Sequence, residues 1–561
     1  MKRFFLFYIL FVVTYQSLAQ SAFAPLNQDY YHLLERYEIK QRNFTTAFFT
    51  SVKPFNRHAI ADFADTLLTS SNFSLSKQDK FNLLYLANDN WEYSTEAEND
   101  SKKAVLKKFY KKKSDLFYVQ EKDFDLHVNP VLVFAGGTDN QLENTLFTNT
   151  RGVQIRGRIT DKLAFYTFFS ENQIRFPFYV QQETQKQGVV PGEGFTKSYA
   201  GDARDFFTAR GYIQMPLIKD YVSMQFGHDR NFIGNGHRSL ILSDHANNYL
   251  FLKMSTKIWR FQYTNLFTKM IADDRIIGGQ GNPLPKKYLA FHHLSLNITD
   301  NFNIGIFESI MYGRPDSLNN SIDLNYLNPI IFYRSIEHET GDNGNAILGL
   351  DFKWNVVKGI QLYGQAVLDE MKVGEFFSGE GWWGNKQSAQ LGGKYIDVAG
   401  ISNLDLQLEW NLVRPYMYTH YNEEIYSNYQ HYSQPLAHPA GANFREIIGI
   451  VRYQPIPRLM LTAKSIFIKT GYDQNGENWG SNIFLDYNSR EMEYGNTTGQ
   501  GAPTTIQFLD FTASYQLKHN MFLDFKQTIR NIESEVARYN VNNSVSTFTF
   551  RWNMPQRLFE F

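Results

Sequence analysis

The chain has 561 residues, equal numbers of basic and acidic side chains, and no cysteine. The lack of cysteine excludes disulfides and thiolate metal sites, and the zero net charge argues against a nucleic-acid partner. Aromatic residues make up 16% of a chain whose mean hydropathy is −0.40. This combination favours an outer-membrane β-barrel, which carries girdles of aromatic side chains at both membrane interfaces.

The N-terminus has the pattern of a signal peptide. Lys2 and Arg3 form a basic segment, residues 4–13 are apolar, and Ser17-Leu18-Ala19 has the small residues of a cleavage site. We predict a signal peptide over residues 1–19, so that the exported chain starts at residue 20. An uncleaved anchor helix is the alternative, although the apolar run is short for a membrane span.

Residues 20–122 have a helical pattern. Asn27 can cap "QDYYHLLERYEIKQ", Ser76 can cap "KQDKFNLLYLAND", and "KPFNRHAIADFADTLL" places its apolar residues at helical spacing. The basic segment 101–115, "SKKAVLKKFYKKKSD", also favours a helix, whose lysines either face solvent or contact anionic groups. We therefore predict an N-terminal α-helical periplasmic domain over residues 20–122.

From residue 123 onward the hydrophobic period is two. In "NLDLQLEWNL", four leucines and Trp410 share one face, and Asp405, Gln407, Glu409 and Asn411 share the other. In a soluble sandwich the apolar face points into the core. In a membrane barrel it points to lipid, and the polar face points into the lumen.

The links between the strands favour the barrel, because short and long connections alternate. The short ones include "TDK" at 160–162, "TDN" at 299–301 and "KHN" at 518–520, and the long ones include 234–248, 371–389, 414–443 and 471–504. Short periplasmic turns and long outer loops are typical of outer-membrane barrels. We predict an all-β transmembrane barrel over residues 123–561 with about 18 antiparallel strands. The predicted strands start near residues 123, 150, 163, 204, 220, 248, 260, 286, 302, 345, 359, 390, 403, 444, 458, 505, 521 and 542.

The chain ends in "STFTFRWNMPQRLFEF", with Phe561 as the last residue. We interpret this segment as the terminal strand. A C-terminal aromatic residue on that strand is the usual recognition mark for the barrel assembly machinery, so we predict this machinery as a partner through Phe561.

Several segments resemble the Wzi capsule-assembly family. They are "GHDRNFIGNGHRSLILSDHANNYLFLK", "LNPIIFYRSIEHETGDNGNAILGLDFKW", "GIQLYGQAVLDE", "SQPLAHPAGANFREIIG" and "LSKQDKFNLLYLANDNWEY". The second is similar to a block of the Bacteroidetes members, which include the gliding motility protein RemB. The chain departs from the family's Trp-Gly-Pro in the first segment, where it has Phe232-Ile233-Gly234-Asn235. The resemblance implies an 18-stranded barrel, a periplasmic helical domain, a lumen blocked by inward-folded loops, a role in ordering surface polysaccharide, and a link to gliding motility.

The link that contains "SLIL" (239–242) is expected to fold into the barrel mouth, because this apolar run is poorly suited to water. Glycines would allow close backbone approach, and charged residues would pair with carboxylates in the lumen. Direct ligand binding is the alternative role. The residues assigned to this loop are Gly227, His228, Asp229, Arg230, Gly234, Gly236, Arg238 and Ser239.

The long loops also carry clusters of aromatic rings, which can stack on sugars while polar neighbours bind the hydroxyl groups. The alternative is that the rings pack the loops together or mark the membrane interface. The candidate glycan-binding residues are Trp382, Trp383, Tyr416, Tyr418, Tyr421, Tyr426, Tyr429, Tyr432 and Trp479.

No enzymatic constellation stands out. On a strand, "EHE" at 337–339 places its histidine opposite its two glutamates, and Ser239, His237 and Asp244 have triad residue types without an assured geometry. We predict no enzyme activity, no cofactor and no metal. The expected partners are surface polysaccharide, outer-membrane lipid and motility or surface proteins.

A channel is the rival function, because eighteen strands can enclose an aqueous pore. Opposite charges on the inner face could instead pair and fill the lumen. The basic residues on this face are Arg156, Arg158, Lys464 and Lys526, and the acidic ones are Asp369, Asp405, Glu409 and Asp524.

Overall fold

A computed structural model describes residues 21–561 except 72, 220, 273–283, 314–321, 331, 341–343 and 422–426. The predicted signal peptide lies outside the described residues. In the described part of the chain, no helix is both long and apolar enough to cross a membrane.

Eighteen long antiparallel strands in the described residues form a closed barrel. The ladder closes between the last and first strands, where Val545 pairs with Asp139 and Trp552 with Leu132. The predicted fold class and strand number are therefore confirmed. The strands are β1 (Phe124–Asp139), β2 (Leu146–Ile159), β3 (Leu163–Arg175), β4 (Ala203–Ile218), β5 (Val222–Asp229), β6 (Tyr249–Ile258), β7 (Phe261–Ile271), β8 (Lys286–Asn297), β9 (Phe302–Gly313), β10 (Asn345–Val357), β11 (Ile360–Glu370), β12 (Lys386–Tyr395), β13 (Leu404–Val413), β14 (Phe444–Ile456), β15 (Leu459–Tyr472), β16 (Ala502–Lys518), β17 (Met521–Ser534) and β18 (Val541–Trp552).

The two walls of the barrel have opposite polarity. On β13, Leu408 and Trp410 are exposed on the outer wall, whereas Asp405, Gln407 and Glu409 are buried on the inner wall. A closed sheet with an apolar outside and a polar inside fits a barrel surrounded by lipid, and it excludes the soluble sandwich. The short links form one end of the barrel, here called the short-turn end, and the long links form the long-loop end.

Three helices precede the barrel: α1 (Gln28–Gln41), α2 (Arg57–Thr69) and α3 (Lys77–Asp89). The predicted caps are present. The Asn27 side chain accepts hydrogen bonds from the backbone N–H groups of Asp29 and Tyr30, and Ser76 forms a capping box with Asp79. These side chains satisfy backbone donors that the first helical turn leaves free.

The predicted helix over 101–115 is wrong. In its place Val105 bridges to Phe109 in a tight turn, in which Leu106 and Lys107 adopt positive φ. The segment buries only Ser114 and Asp115. A helix draws most of its stability from packing an apolar face, and this segment offers none. A short strand, Phe117–Glu121, then pairs with the start of β1.

The three helices pack inside the short-turn end of the barrel, against the inner wall. Glu35 of α1 pairs with Lys394 of β12 at 2.6 Å, and Glu38 pairs with Lys353 of β10 at 2.7 Å. Residues 21–116 are here called the helical plug, and α1 with the segments packed on it occupies the lumen at this end.

The C-terminus corrects the prediction for Phe561. The last strand ends at Trp552, and Asn553 adopts a φ of 53° at the point where the chain leaves the sheet. Residues 553–561, here called the C-terminal tail, then fold back into the lumen. The oxygen of Phe561 accepts a hydrogen bond from Arg530 at 2.7 Å. Phe561 is therefore not on the terminal strand, because its tail has polar and aromatic partners inside the barrel.

Candidate functional site: an occluded lumen and its long-loop surface

Residues 230–248, here called the plug loop, join β5 to β6 and enter the lumen. The short strand Phe232–Ile233 pairs with Val52–Lys53 of the helical plug. The N–H of Gly234 donates to the carbonyl of Ser51 at 2.8 Å. The plug loop thus meets the helical plug through backbone hydrogen bonds in the middle of the barrel.

Two glycines allow this close approach. A Cβ at Gly234 would lie 2.5 Å from the amide nitrogen of Gln365, and Gly234 also has a φ of 144° that L side chains rarely adopt. A Cβ at Gly236 would lie 2.6 Å from a carboxylate oxygen of Glu409. That carboxylate accepts hydrogen bonds from the backbone N–H groups of His237 at 2.7 Å and Arg238 at 3.0 Å. Any larger side chain would displace these contacts.

The apolar part of the plug loop is fully buried. Leu240 has no exposed surface and donates its N–H to the Gln365 side chain at 2.7 Å. From the long-loop side, the Tyr418 hydroxyl donates to the carbonyl of Leu240 at 2.7 Å, and the Tyr429 hydroxyl donates to that of Ile241 at 2.9 Å. The "SLIL" segment therefore lies between the barrel wall and the loop 414–443.

The predicted plug residues have different positions in the structure. Gly227, His228 and Asp229 belong to β5, and the exposed side chain of His228 points away from the lumen. The expectation that His228 pairs with lumen carboxylates is therefore wrong, because strand alternation directs it outward. Arg230 donates to the Asp244 carbonyl at 2.8 Å. Arg238 pairs with the carboxylate of Glu446 inside the lumen at 3.4 Å, as expected for this residue.

The C-terminal tail holds the plug loop from the other side. Glu560 is buried and pairs with Lys464 of β15, and it lies 2.7 Å from Nε2 of His237. Burial and the charge of Lys464 lower the pKa of His237 to about 4. The imidazole is therefore neutral at pH 7, and its hydrogen bond with Glu560 holds it in place.

The eight inner-wall charges that the sequence suggested as channel-lining residues all have partners. Those partners come from neighbouring strands and from the three elements that fill the lumen. The pairs are Arg156 with Glu92, Arg158 with Asp125 at 2.9 Å, Lys464 with Glu560, Lys526 with Asp510 at 2.8 Å, Asp405 with His32 at 3.0 Å, Asp524 with Arg551 at 2.5 Å, Asp369 with the Tyr418 N–H at 2.8 Å, and Glu409 with the N–H groups of the plug loop.

The enzyme-like residues do not assemble into a site. The Ser239 hydroxyl donates to the carbonyl of Ile233 and not to His237, whose partner is Glu560. Residues 337–339 lie on a helix, Tyr333–Thr340, and not on the strand that the sequence suggested. Within the residues that the structure describes, no group of three or more His, Asp or Glu side chains could hold a metal ion.

Most of the predicted glycan-binding rings are buried. Trp382, Trp383 and Tyr416 form one small core, and both indole N–H groups donate to Glu493, at 3.1 and 2.9 Å. Tyr418 and Tyr429 are also buried, each 1% exposed. These five rings therefore pack the loops together, which is the alternative to sugar stacking, and they leave little surface for a sugar. Tyr426 lies outside the described residues.

Three of the predicted rings remain partly accessible: Tyr421, Tyr432 and Trp479. Tyr421 lies beside Tyr487, with 6.1 Å between the ring centroids, and the ring of His420 contacts both. We call His420, Tyr421 and Tyr487 the ring surface. The ring of Tyr432 meets that of Phe195, which is 48% exposed, at 5.0 Å.

Sequence reasoning missed Tyr487 and Phe195. Both lie in predicted long loops, 471–504 and 176–200, but outside the ring-rich stretches: Tyr487 closely follows the apolar run 483–485, and Phe195 lies between Gly194 and Thr196. Only the folding of separate loops onto each other brings Tyr487 to Tyr421 and Phe195 to Tyr432. The ring-rich stretches that drew attention were instead the ones that form the loop cores.

A closed antiparallel barrel with short turns at one end and long loops at the other has the architecture of outer-membrane barrels. The structure is similar to Wzi, an outer membrane protein involved in group 1 capsule assembly in Escherichia coli and a carbohydrate-binding β-barrel, with a TM-score of 0.56 and 14% identity over 95% of this chain and 100% of that chain. It is more distantly similar to Pseudomonas aeruginosa OccK8 (TM-score 0.41, 8% identity, 77% of this chain, 97% of that one) and OprD (0.42, 9%, 76%, 93%). No family model and no curated protein sequence matches. The likeness to Wzi shows the fold.

Proposed function

We propose that this chain is an exported, non-enzymatic outer-membrane barrel whose long-loop end binds or organises cell-surface polysaccharide, as in capsule attachment. The observation that carries the proposal is the filled lumen: the helical plug, the plug loop and the C-terminal tail occupy the interior of an 18-stranded barrel. The large loops are then left as the working surface. The carbohydrate-binding character of Wzi, which has a similar fold, supports this proposal.

The ring surface is the part of this end whose chemistry suits a sugar. Tyr421 and Tyr487 are partly accessible rings, and Asp486 and Arg490 flank Tyr487 with charged and hydrogen-bonding groups. Flat apolar area beside polar groups is the combination that binds a hydrated carbohydrate. The buried tryptophan pair supports this surface from below, since the Trp383 ring lies 4.8 Å from that of Tyr487.

The test is binding of the purified, folded barrel to surface polysaccharide extracted from the source organism. We expect Tyr421→Ala/Tyr487→Ala to weaken binding about tenfold or more, the loss of about 1.4 kcal/mol. Tyr539→Ala is the matched control, because this half-exposed tyrosine also lies at the long-loop end but outside the ring surface. Absence of binding by the folded wild-type protein contradicts the proposal.

Conductance in planar bilayers tests the rival channel. We expect the wild-type barrel to be almost silent, because paired charges and packed side chains fill its lumen. Steady ion currents from the folded protein would favour a diffusion or uptake channel.

The proposal extends to a link with gliding motility, which the sequence resemblance implies. In that form the long loops attach motility-related surface proteins. A strain that lacks the chain should then lose spreading while its extracted polysaccharide keeps a normal amount and size.

A further inference from the structure

A large cavity lies at the short-turn end, between the helical plug and the strands β4 to β7. Its volume is about 590 Å³, within the range of small-molecule binding sites. Residues of α1, α2 and the segment between them form one side of it, and inward side chains of the strands form the other. It lies at the opposite end of the barrel from the ring surface and has no part in the proposed function.

A buried lysine without a carboxylate partner lines this cavity. Lys253 of β6 is 3% exposed, and its Nζ donates to the side-chain oxygen of Asn231 at 3.0 Å. Its ammonium also lies 4.9 Å from the ring centroid of Phe23. Among the described residues, no carboxylate oxygen lies within salt-bridge distance of it.

Two other buried lysines of the inner wall are different. Lys353 pairs with Glu38 at 2.7 Å, and Lys394 pairs with Glu35 at 2.6 Å. A buried ammonium is costly unless an opposite charge compensates it. The ammonium of Lys253 feels the charge of Asp229 only from beyond salt-bridge distance. It stands beside a cavity with room for an anion, so a bound ligand can supply a close counter-charge.

The rest of the lining indicates what kind of anion fits. Lys257 lies four residues further along the same face of β6, and it donates to the carbonyl of Ala47 at 2.8 Å. Ser255 lies between the two lysines, Gln262 adds an amide, and Phe44 adds a half-buried ring. On the helical-plug side the lining is mainly apolar and includes Phe48, Phe55 and Phe63, whereas the hydroxyl and amide groups lie on the strand side. A cavity with rings on one side and hydrogen-bonding groups on the other suits a sugar.

We propose that this cavity binds a saccharide that carries a carboxylate or a phosphate, with Lys253 as its counter-charge. The anionic group of the ligand pairs with Lys253, and the sugar hydroxyl groups bind the serine and glutamine side chains. The cavity opens between the short turns, so its ligand reaches it from that side of the membrane.

Calorimetric titration of the full chain in detergent tests the proposal. The probes are trigalacturonic acid, glucose 6-phosphate and the neutral trisaccharide maltotriose. We expect at least one acidic probe to bind about tenfold more tightly than maltotriose, and the stronger of the two identifies the anionic group. Lys253→Met should weaken that binding about tenfold or more, Lys253→Arg should retain it, and Lys162→Met, at an exposed lysine of a short turn, should leave it unchanged.

Equal binding of acidic and neutral probes overturns the proposal, as does binding that survives Lys253→Met. If Lys253→Met does not fold, Lys253→Gln, which removes the charge and keeps a polar side chain, must weaken the binding of the acidic probe alone. Unchanged binding in that titration also overturns it. The Tyr421→Ala/Tyr487→Ala variant separates the two sites: it should leave the acidic probe unaffected, and a loss there means that the probe binds the ring surface instead.

Discussion

The two ends of the lumen are filled by different chemistry. At the short-turn end, ion pairs hold α1: Glu35 lies between Lys394 and Lys53, and Arg36 pairs with Asp405. At the long-loop end, the plug loop is held mainly by apolar burial and by hydrogen bonds to its backbone, as at Leu240 and Ile241.

This difference shows how one chain can place two plugs in one barrel. A buried ion pair adds little net stability, but it is satisfied in one arrangement only and is costly to break. Apolar burial stabilises strongly without fixing direction. The charged inner wall therefore determines where α1 sits, and the apolar segment of the plug loop holds the opposite end closed. The following experiments test this comparison.

Glu35→Ala should have the largest effect. It leaves Lys53 and Lys394 buried without a carboxylate, and breaking a buried pair from one side costs about 3–5 kcal/mol. Hydrogen exchange of the α1 amides measures this loss as a fall in their opening free energy. Glu96→Ala, at an exposed glutamate of the helical plug, is the control and should change little. Similar protection in both variants would show that ion pairs do not hold α1.

Leu240→Ala should lower the opening free energy of the plug loop by about 3 kcal/mol, because it removes a fully buried side chain and leaves a cavity. Hydrogen exchange in the plug loop measures the effect. The control is Leu106→Ala, since Leu106 is 79% exposed. If α1 loses as much protection as the plug loop, the two plugs are one cooperative unit and the comparison fails.

Glu560→Gln should destabilise the plug loop by about 2 kcal/mol, since it removes the charge that Lys464 and Arg238 face in the lumen. The readouts are exchange in the plug loop and bilayer conductance, which should rise above the wild-type baseline. Glu535→Gln, at an exposed glutamate, should be neutral in both. A silent, fully protected Glu560→Gln barrel would show that the C-terminal tail does not hold the plug loop.

Mild acid should destabilise the plug loop more than it destabilises α1. The pKa of His237 is lowered to about 4, so the stability it contributes is present above its unfolded value of about 6.5 and is lost as the pH falls from there toward 4. Burial would raise the pKa of Glu35, but the charges of Lys394 and Lys53 hold it well below its usual range, so its contribution persists until the pH falls below about 4.5.

From pH 7 to pH 5 the opening free energy of the plug loop should therefore fall by about 1–2 kcal/mol through His237, and His245 of the same loop, whose pKa burial lowers to about 3, adds to this loss. Burial also lowers the pKa of His32 in α1, so α1 should lose stability too, but less, because α1 contains one such histidine and the plug loop contains two. Exchange of both segments at the two pH values, corrected for intrinsic rates, measures this difference. His237→Gln should reduce the pH dependence of the plug loop and leave the part that His245 contributes. Equal loss at both ends would contradict the separate chemistry of the two plugs.

Much of the barrel could be predicted because its signals are local. Strand alternation places Leu408 outward and Glu409 inward in any barrel that contains this sequence, and turn residues mark where each strand stops. The caps at Asn27 and Ser76 are local in the same way. The helix predicted over 101–115 failed because helix propensity was present there without a face to pack.

The candidate site could be predicted only in part. Trp382, Trp383 and Tyr416 are rich in ring area, but the sequence does not say that they pack against each other and leave Tyr421 and Tyr487 at the surface. The prediction that Phe561 lies on the terminal strand was wrong for a related reason. An aromatic residue at the end of the chain does not show whether the chain is still in a strand there.

The sequence by itself determined an 18-stranded barrel with capped N-terminal helices and a polar inner wall. These features follow from the alternation of apolar and polar residues and from turn residues, and each of these patterns spans only a few positions. Only the tertiary structure decided what fills the barrel. Lys394 lies 359 residues after Glu35, and Glu560 lies 323 residues after His237. By sequence alone, Glu35 and His237 could each have paired with many charges of the inner wall. The closure of the sheet decides which residues pair, because it sets which strands face one another across the lumen.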